Sequence, residues 1–587
     1  MRQRGATGAP EPLRRAARGA GMTLAAALVP AALAGPPVAV CGPVRAQEPA
    51  AERSEPHAQP MPIEFQGQAE KRIAEYEPRL RRLVRTEDEK VNALVEQIYR
   101  ECVYGKLFEP MPPELPYRWF APGGAYFTGQ WIWDTMFVLI AFAPLDDDAV
   151  VRESFDNYRH AIENNPLAPP GSHRYGMVPN FMGARELRKD GEAWPPVGYS
   201  QIPILGWGAL SVYRQTNDRR LLEQVLPWLV AFDEWYSTER DVDGDGLIEY
   251  GAYEAVANNT LQQTARFETF DFHLPLDDMK MTRHPRRETG GEWYGNVEGV
   301  EQTSFLLMSE RALVEIANEL GKEDLARRYE MTIARRVETM QRKMWDPETR
   351  FFYSLDRDSD RRIMVRTPQG FLALTAGAAT AEQGAELALQ LQDPDRWWTD
   401  YPVPTIARDE PKYDPKGYWR GDMWPPTTYL VALGLSRYGH HDLALELTRR
   451  MRTLIETEGI SEHYHSETGE PLGVPGLGMS GVVWSMIVHS VYGVQEDYRT
   501  IRVPEGAAGR FLELGKLKVS YPDQHSVEIT SAFDRSFRVV FGAGAGESEP
   551  RVTLGEASIP ADASGNEVRF TARGGETYRV ERCATRP

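Results

Sequence analysis

The chain has 587 residues, is 42% hydrophobic and 10% aromatic, and carries a formal net charge of −18. That length and composition suit a large globular core plus a smaller domain and exclude an intrinsically disordered chain. The acidic balance argues against a nucleic-acid binder, which would present a basic face, and disfavours a groove for polyanions.

In chain order, Arg14, Arg15 and Arg18 precede the apolar run "MTLAAALVPAALAGPPVAV", and Val44 and Ala46 supply small residues for cleavage. This is the layout of a secretory signal peptide over 1–46, with a secreted or periplasmic mature protein and the export route left open. Prolines in the run, and no second apolar stretch after it, disfavour a transmembrane anchor. Residues 47–66 are Pro- and Glu-rich and read as a linker. Of the three cysteines, Cys102 and Cys583 would survive cleavage. Their number and spacing fit one bridge or two buried thiols, and no metal-ligand pattern.

From about residue 67 the pattern is helical. After an amphipathic stretch through "EKVNALVEQIYREC", segments of helical period recur near 130–143, 148–163, 199–215, 219–238, 301–320, 322–343, 367–376, 380–391, 424–437, 441–457 and 479–492. No strand–helix alternation appears, so a parallel α/β sheet is disfavoured. About a dozen helices in pairs, joined by irregular aromatic loops, predict a mainly α protein. The expected form is an (α/α)6 barrel, a six-hairpin toroid, over 67–496. Beyond it, short alternating runs such as "HSVEITSAF" and "SFRVVFGAG" predict a small β-sandwich over 497–587.

Four junctions between loop and helix combine aromatic and polar side chains. "PGGAYFTGQWIWDTMF" holds Trp131, Trp133 and Asp134, and "VGYSQIPILGWGAL" holds Gln201. "GYWRGDMWPPTTYL" holds Tyr418, Trp419, Arg420, Asp422 and Trp424, and "ISEHYHSETGEPLG" places Glu462 and Tyr464 in a loop. Sugars need this mixture, because C–H faces stack on aromatic rings while hydroxyls need charged and amide partners. One such junction is often packing plus a cap. Four together point to a sugar site.

Glycoside hydrolysis requires two carboxyl groups, one to protonate the leaving oxygen and one to activate water or attack. Candidates are Glu268, Asp271, Asp277 and Asp278 in "RFETFDFHLPLDDM", with Glu462 and Glu467 further on. In "DVDGDGLIEYG", oxygens at 241, 243 and 245 with Gly246 after them invite a calcium reading. The position where an EF-hand sets its bidentate glutamate is Ala252, so the stretch is read as an Asx-rich loop joining two helices. No metal and no cofactor are expected.

Over roughly residues 95–495 these motifs together resemble the inverting α-glycosidases of glycoside hydrolase family 63. The likeness is strongest to the mannosylglycerate hydrolase-like branch, with trehalases more distant. The resemblance implies that Glu462 is the general base. It also implies that Trp133, Asp134, Gln201, Tyr418, Trp419, Arg420 and Trp424 line or support the pocket. It places the general acid at Asp277, with Asp271 and Asp278 as alternatives. An inverting pair would stand about 6.5–9.5 Å apart. His273 stands where the family has a glutamate, and Ala125 where trehalases have an arginine. The implied substrate is a small α-linked glucoside or mannoside, or a glycosyl-glycerate. Two other readings are a polysaccharide lyase, which would want a basic groove, and a non-catalytic sugar-binding relative.

Overall fold

Hydrophobicity all around a helix marks it for the interior, and hydrophobicity along one stripe marks it for the outside of a core. The chain uses both kinds in alternation. In the computed structural model, residues 63–123, 129–183, 199–253, 280–283, 292–542 and 548–582 are described. The predicted signal peptide and most of the linker lie outside them, as does Cys583, and with it any pairing to the buried Cys102.

Thirteen α-helices occur among the described residues. They are α1 (Ile63–Leu83), α2 (Glu89–Ile98), α3 (Ile132–Phe142), α4 (Asp148–Asn164), α5 (Leu205–Thr216), α6 (Arg219–Glu239) and α7 (Val300–Glu319). There follow α8 (Glu323–Thr339), α9 (Leu372–Thr375), α10 (Ala381–Leu391), α11 (Pro425–Arg437), α12 (His441–Glu458) and α13 (Val483–Ser490). Every residue of α3 is buried, as is α11 from Pro425 to Leu435. By contrast α4, α8 and α12 bury one stripe each.

Among the interior helices α3 packs on α5, α5 on α7, α7 on α9, α9 on α11 and α11 on α13. The 3-10 turn Gly478–Val482 ahead of α13 then packs on α3, so the series of contacts returns to its start. Close approach needs small residues at the crossings. A Cβ on Gly208 of α5 would lie 2.3 Å from Met136 Sδ of α3, and one on Gly434 of α11 would lie 2.8 Å from the Thr375 backbone nitrogen. The outer helices pack on this series, α6 and α8 on α7 and α12 on α11.

The predicted helix at 199–215 starts only at Leu205. Pro203 disfavours helical backbone for the residue before it, which leaves Ser200 and Gln201 in an extended approach. Side-chain caps open the outer helices, with Asp88, Asp147 and Asp218 accepting from first-turn N–H groups. No residue at the N-cap of α3, α5 or α11 makes such a bond.

The C-terminal strands form two sheets. One contains Phe511–Leu514, Leu517–Asp523, Ser526–Ser531, Thr577–Glu581, Arg551–Leu554 and Ala557–Ser558. The other contains Thr500–Arg502, Arg535–Val540, Glu567–Ala572 and Asp562–Ser564. Their apolar faces meet, with Phe570 of the second sheet 5.4 Å from Tyr578 of the first. The first sheet has an unexpected edge member: Val84–Thr86, which follows α1 directly, pairs antiparallel with Leu512–Leu514. This ties the start of the helical region to the C-terminal sheets.

Candidate active site

Gln201, Asp134, Glu462 and the 418–424 stretch arrive from separate junctions. Trp133 sits in the first turn of α3, where backbone N–H groups have no partner within the helix. The Gln201 side chain fills that need from the approach to α5: its Oε1 accepts from Trp133 N at 2.7 Å. Gln201 is itself fixed by Tyr236, whose hydroxyl donates to its carbonyl at 2.5 Å. The Trp133 indole Nε1 lies 3.0 Å from Met479 Sδ, ahead of α13. Thus α3, α5 and α13 begin beside one another.

Glu462 is not in a loop, as its sequence suggests, but on a short strand, Ser461–Tyr464, paired antiparallel with Pro471–Pro475. Gly473 is what admits its carboxylate to the partner strand, since a Cβ there would stand 2.5 Å from Glu462 Oε2. That oxygen accepts from Val474 N at 2.9 Å, and Tyr418 is a polar neighbour of the carboxylate. Burial raises the proton affinity of Glu462, and neighbouring Asp422 adds to this. His463, the Val474 N–H and Tyr418 oppose it without cancelling it. Asp134, in the first turn of α3, is buried too. Its pKa is raised to about 7, first by burial and then by the charge of Glu462. These two acids therefore sense each other across the junction of α3 with the Glu462 hairpin, and both hold protons more tightly than exposed carboxylates.

Behind them lies a stacked aromatic block. The Trp419 and Trp424 rings stack with centroids 4.2 Å apart, and His463 stacks on Trp424 at 4.9 Å. Tyr418 meets both Trp424 and His463 edge-on, at 5.4 and 5.5 Å. Tyr418 is 52% exposed. Asp422 holds the block together. Its Oδ2 accepts from Trp424 Nε1 at 2.7 Å and stands 2.9 Å from His463 Nδ1, and its Oδ1 accepts from Thr405 at 2.5 Å. Thr405 in turn accepts from Gly421 N at 2.9 Å. Gly421 adopts φ 136°, and a Cβ there would strike the Asp414 carbonyl at 2.5 Å.

Trp419 is only 1% exposed, as is Trp424, and the two rings cover each other face to face. The Trp419 indole is too large and apolar for solvent when another ring can cover it. Trp419→Ala should cost about 3–5 kcal/mol, the range for truncating a buried aromatic. A thermal melt well below wild type, with near-normal KM in the folded fraction, is the expected result. Arg420 next to it is exposed.

Some predicted residues lie elsewhere. Glu467 accepts from Tyr413 at 3.2 Å and pairs with Arg408 at 3.1 Å, a partly exposed ion pair apart from Glu462. Glu268, Asp271, Asp277 and Asp278 lie outside the described residues, so the acid–base spacing does too. Sequence reasoning named Asp422 only as a member of its aromatic and polar junction, and it did not single out His463. Their value is in one another, and only the fold joins 422 to 463.

Residues 126–484 match the mannosylglycerate hydrolase MGH1-like glycoside hydrolase domain. A mannosylglycerate hydrolase of Thermus thermophilus is 26% identical over 402 residues, covering 62% of this chain and 94% of that protein. A glucosylglycerate hydrolase of Mycolicibacterium hassiacum is 24% identical over 400 residues, covering 59% and 88%. The crystal structure of a GH63 mannosylglycerate hydrolase from Thermus thermophilus in complex with glucose superposes with a TM-score of 0.50 at 21% identity. That superposition covers 67% of this chain and 98% of the other. With a family match that spans more than half of its length and holds Asp134, Gln201, the 418–424 stretch and Glu462, the chain belongs to the MGH1-like glycoside hydrolases.

Proposed function

We propose that the protein hydrolyses an α-linked glycosyl-glycerate, mannosyl or glucosyl, with inversion of the anomeric centre. The observation that carries the reading is Glu462: a buried carboxylate, aimed by the Val474 N–H, with raised proton affinity. A general base works best with a proton affinity near the working pH, and burial shifts Glu462 upward from the ordinary carboxylate range. Water activated by Glu462 attacks the anomeric carbon while Asp277 protonates the departing oxygen. Asp134 and Gln201 bind the sugar hydroxyls, and exposed Arg420 is available to an anionic aglycone such as glycerate. The returning contacts from α3 through α13 support an (α/α)6 barrel, with these residues at the mouth where the helices begin. The hydrolase family supports this reading over a lyase.

Early NMR spectra of the reaction on mannosylglycerate and glucosylglycerate should show the β-sugar as first product. Asp277→Asn should slow these substrates far more than an activated glycosyl fluoride, which needs no proton. First-formed α-sugar would overturn the inverting mechanism. Equal losses on both substrate types would move the acid role to Asp271 or Asp278. No turnover on any α-glycoside would leave a sugar-binding protein.

A further inference from the structure

The candidate active site gathers where α3, α5 and α11 begin. Where α5, α7 and α11 end there is a cavity of about 590 Å³, set between the helices and the C-terminal sheets. Arg214 of α5, Glu319 of α7 and Arg437 of α11 line it from the helical region, and Arg502 and Arg538 line it from the second sheet. Helix α11 has 13 residues, with Trp424 at its N-cap and Arg437 at its last position. At about 1.5 Å per residue, the cavity stands about 20 Å from the sugar site.

Four carboxylates line the cavity, and each is already matched. Glu315 pairs with Arg214 at 2.8 Å and Glu319 with Arg499 at 2.8 Å. Glu496 accepts from Trp207 Nε1 at 2.6 Å, and Asp497 accepts from the backbone N–H groups of Arg499 and Thr500 at 2.9 and 2.7 Å. The cations are not all matched in turn. Among the described residues no carboxylate stands at ion-pair distance from Arg437, Arg502 or His441. Asp442, next to His441, acts on Arg502 only from farther off. Arg538 is held by Glu567, a carboxylate it shares with Arg569.

The unmatched cations crowd one another. A Cβ on Gly377 would stand 2.7 Å from Arg437 Nη1 and 3.5 Å from Arg311 Nη2, so these two guanidinium groups flank one point. Arg311 donates to the carbonyls of Ala376 and Gly377, at 2.8 and 2.9 Å, and brings no acid between them. Burial and neighbouring arginines lower the proton affinity of Arg311, Arg502 and His441, the last to about 4. A chain of net charge −18 has thus collected like positive charges around one hollow. That arrangement is unfavourable unless a negative partner enters.

We infer that this cavity binds a small oxyanion with two or more negative charges, a phosphoryl or polycarboxylate compound, held between Arg437 of the helical region and Arg502 of the C-terminal sheets. The guanidinium fork matches both kinds of group through paired N–H bonds. The volume falls within the range of about 300–1,000 Å³ usual for small-molecule sites. The start of α12, which has no side-chain cap, lies at the cavity through Gly439 and His441, and a helix N-terminus favours negative charge. Residues 126–484 carry the family match, so Arg502 and Arg538 belong to the part of the chain beyond it. The inference does not rest on the sugar reading.

The test uses the full chain at about pH 8 and about 0.15 M NaCl, with sodium phosphate and sodium succinate as two calorimetric arms. At least one should bind once per chain with a Kd below about 1 mM. At about 10 mM it should raise the thermal midpoint by about 2–4 °C. Binding of phosphate alone would mark a phosphoryl ligand, and binding of succinate alone a dicarboxylate. Arg437→Gln, at an exposed position, and Arg502→Gln should each weaken binding at least about tenfold, the loss of one charge-assisted hydrogen bond. Glu462→Gln should leave it unchanged. No binding of either anion up to about 10 mM would overturn the inference. Binding unchanged in both arginine variants would place the anion elsewhere, and binding lost in Glu462→Gln would place it in the sugar site. An equal thermal shift from NaCl at matched ionic strength would show charge screening only, and would overturn the inference as well.

Discussion

Glu462→Gln should lower kcat by at least about a hundredfold, toward the 10²–10⁴ range of general-base catalysis, with little change in sugar affinity. The amide preserves shape and can still accept from Val474 N, so the hairpin Ser461–Tyr464 with Pro471–Pro475 should keep its register. What it loses is the capacity to take a proton from water. The wild-type profile of kcat/KM should fall on its acid side at a pH above the ordinary carboxylate range, because burial raises the proton affinity of Glu462. That limb should vanish from the residual activity of the variant. Single-turnover kinetics and equilibrium binding of product sugar measure the two quantities separately. Near-normal kcat in the variant would remove Glu462 from the mechanism.

Asp134→Asn should reduce kcat/KM by about 10–150-fold, the worth of one hydrogen bond from a sugar hydroxyl to a charged acceptor. It should also make the protein more stable at neutral pH. The Asp134 pKa is about 7 in the folded chain against 3.8 for the ordinary side chain. Between those values the folded state holds a proton that the unfolded state has released, so wild-type stability declines as pH rises from about 4 to 7. Above pH 7 the burden is constant, at most about 4 kcal/mol for a shift of this size, and below pH 4 it disappears. Asparagine never carries the charge. The variant should therefore melt above wild type at pH 8, and the difference should close as pH falls to 4. Equal melting curves at pH 8 and pH 4 would show that Asp134 is not desolvated as described. Opposite signs for activity and stability are what a buried functional acid produces.

Local pattern carried a good deal of this protein. Eleven residues without a polar face outside the site turn mark α3 as interior, and one-sided stripes mark α4, α8 and α12 as outer helices. Their limits sit close to where periodicity, Asp caps and prolines put them. The short alternating runs after residue 497 are strands for the same local reason: period two buries one face. The Trp133–Asp134, 418–424 and Glu462 stretches stood out because they mix aromatics and charge at helix entrances. Composition is visible without a fold.

Partnership was not. Nothing in the sequence says that Gln201 caps α3, that Val474 donates to Glu462, or that Asp422 joins Trp424 to His463. Nor does it say that Val84–Thr86 completes a sheet more than 400 residues away, that Trp419 and Trp424 cover each other, or that the 241–249 stretch leads into the strand Glu249–Tyr253 and not into a helix. Periodicity and capping follow from neighbours within a turn of the chain, so the sequence by itself determined most of the helices, the C-terminal strands and the stretches rich in sugar-binding residue types. Burial, proton affinity and cross-strand register depend on which faces meet after thousands of atoms pack together. Only the tertiary structure decided them, because desolvation and Coulomb energies act through space and not along the chain.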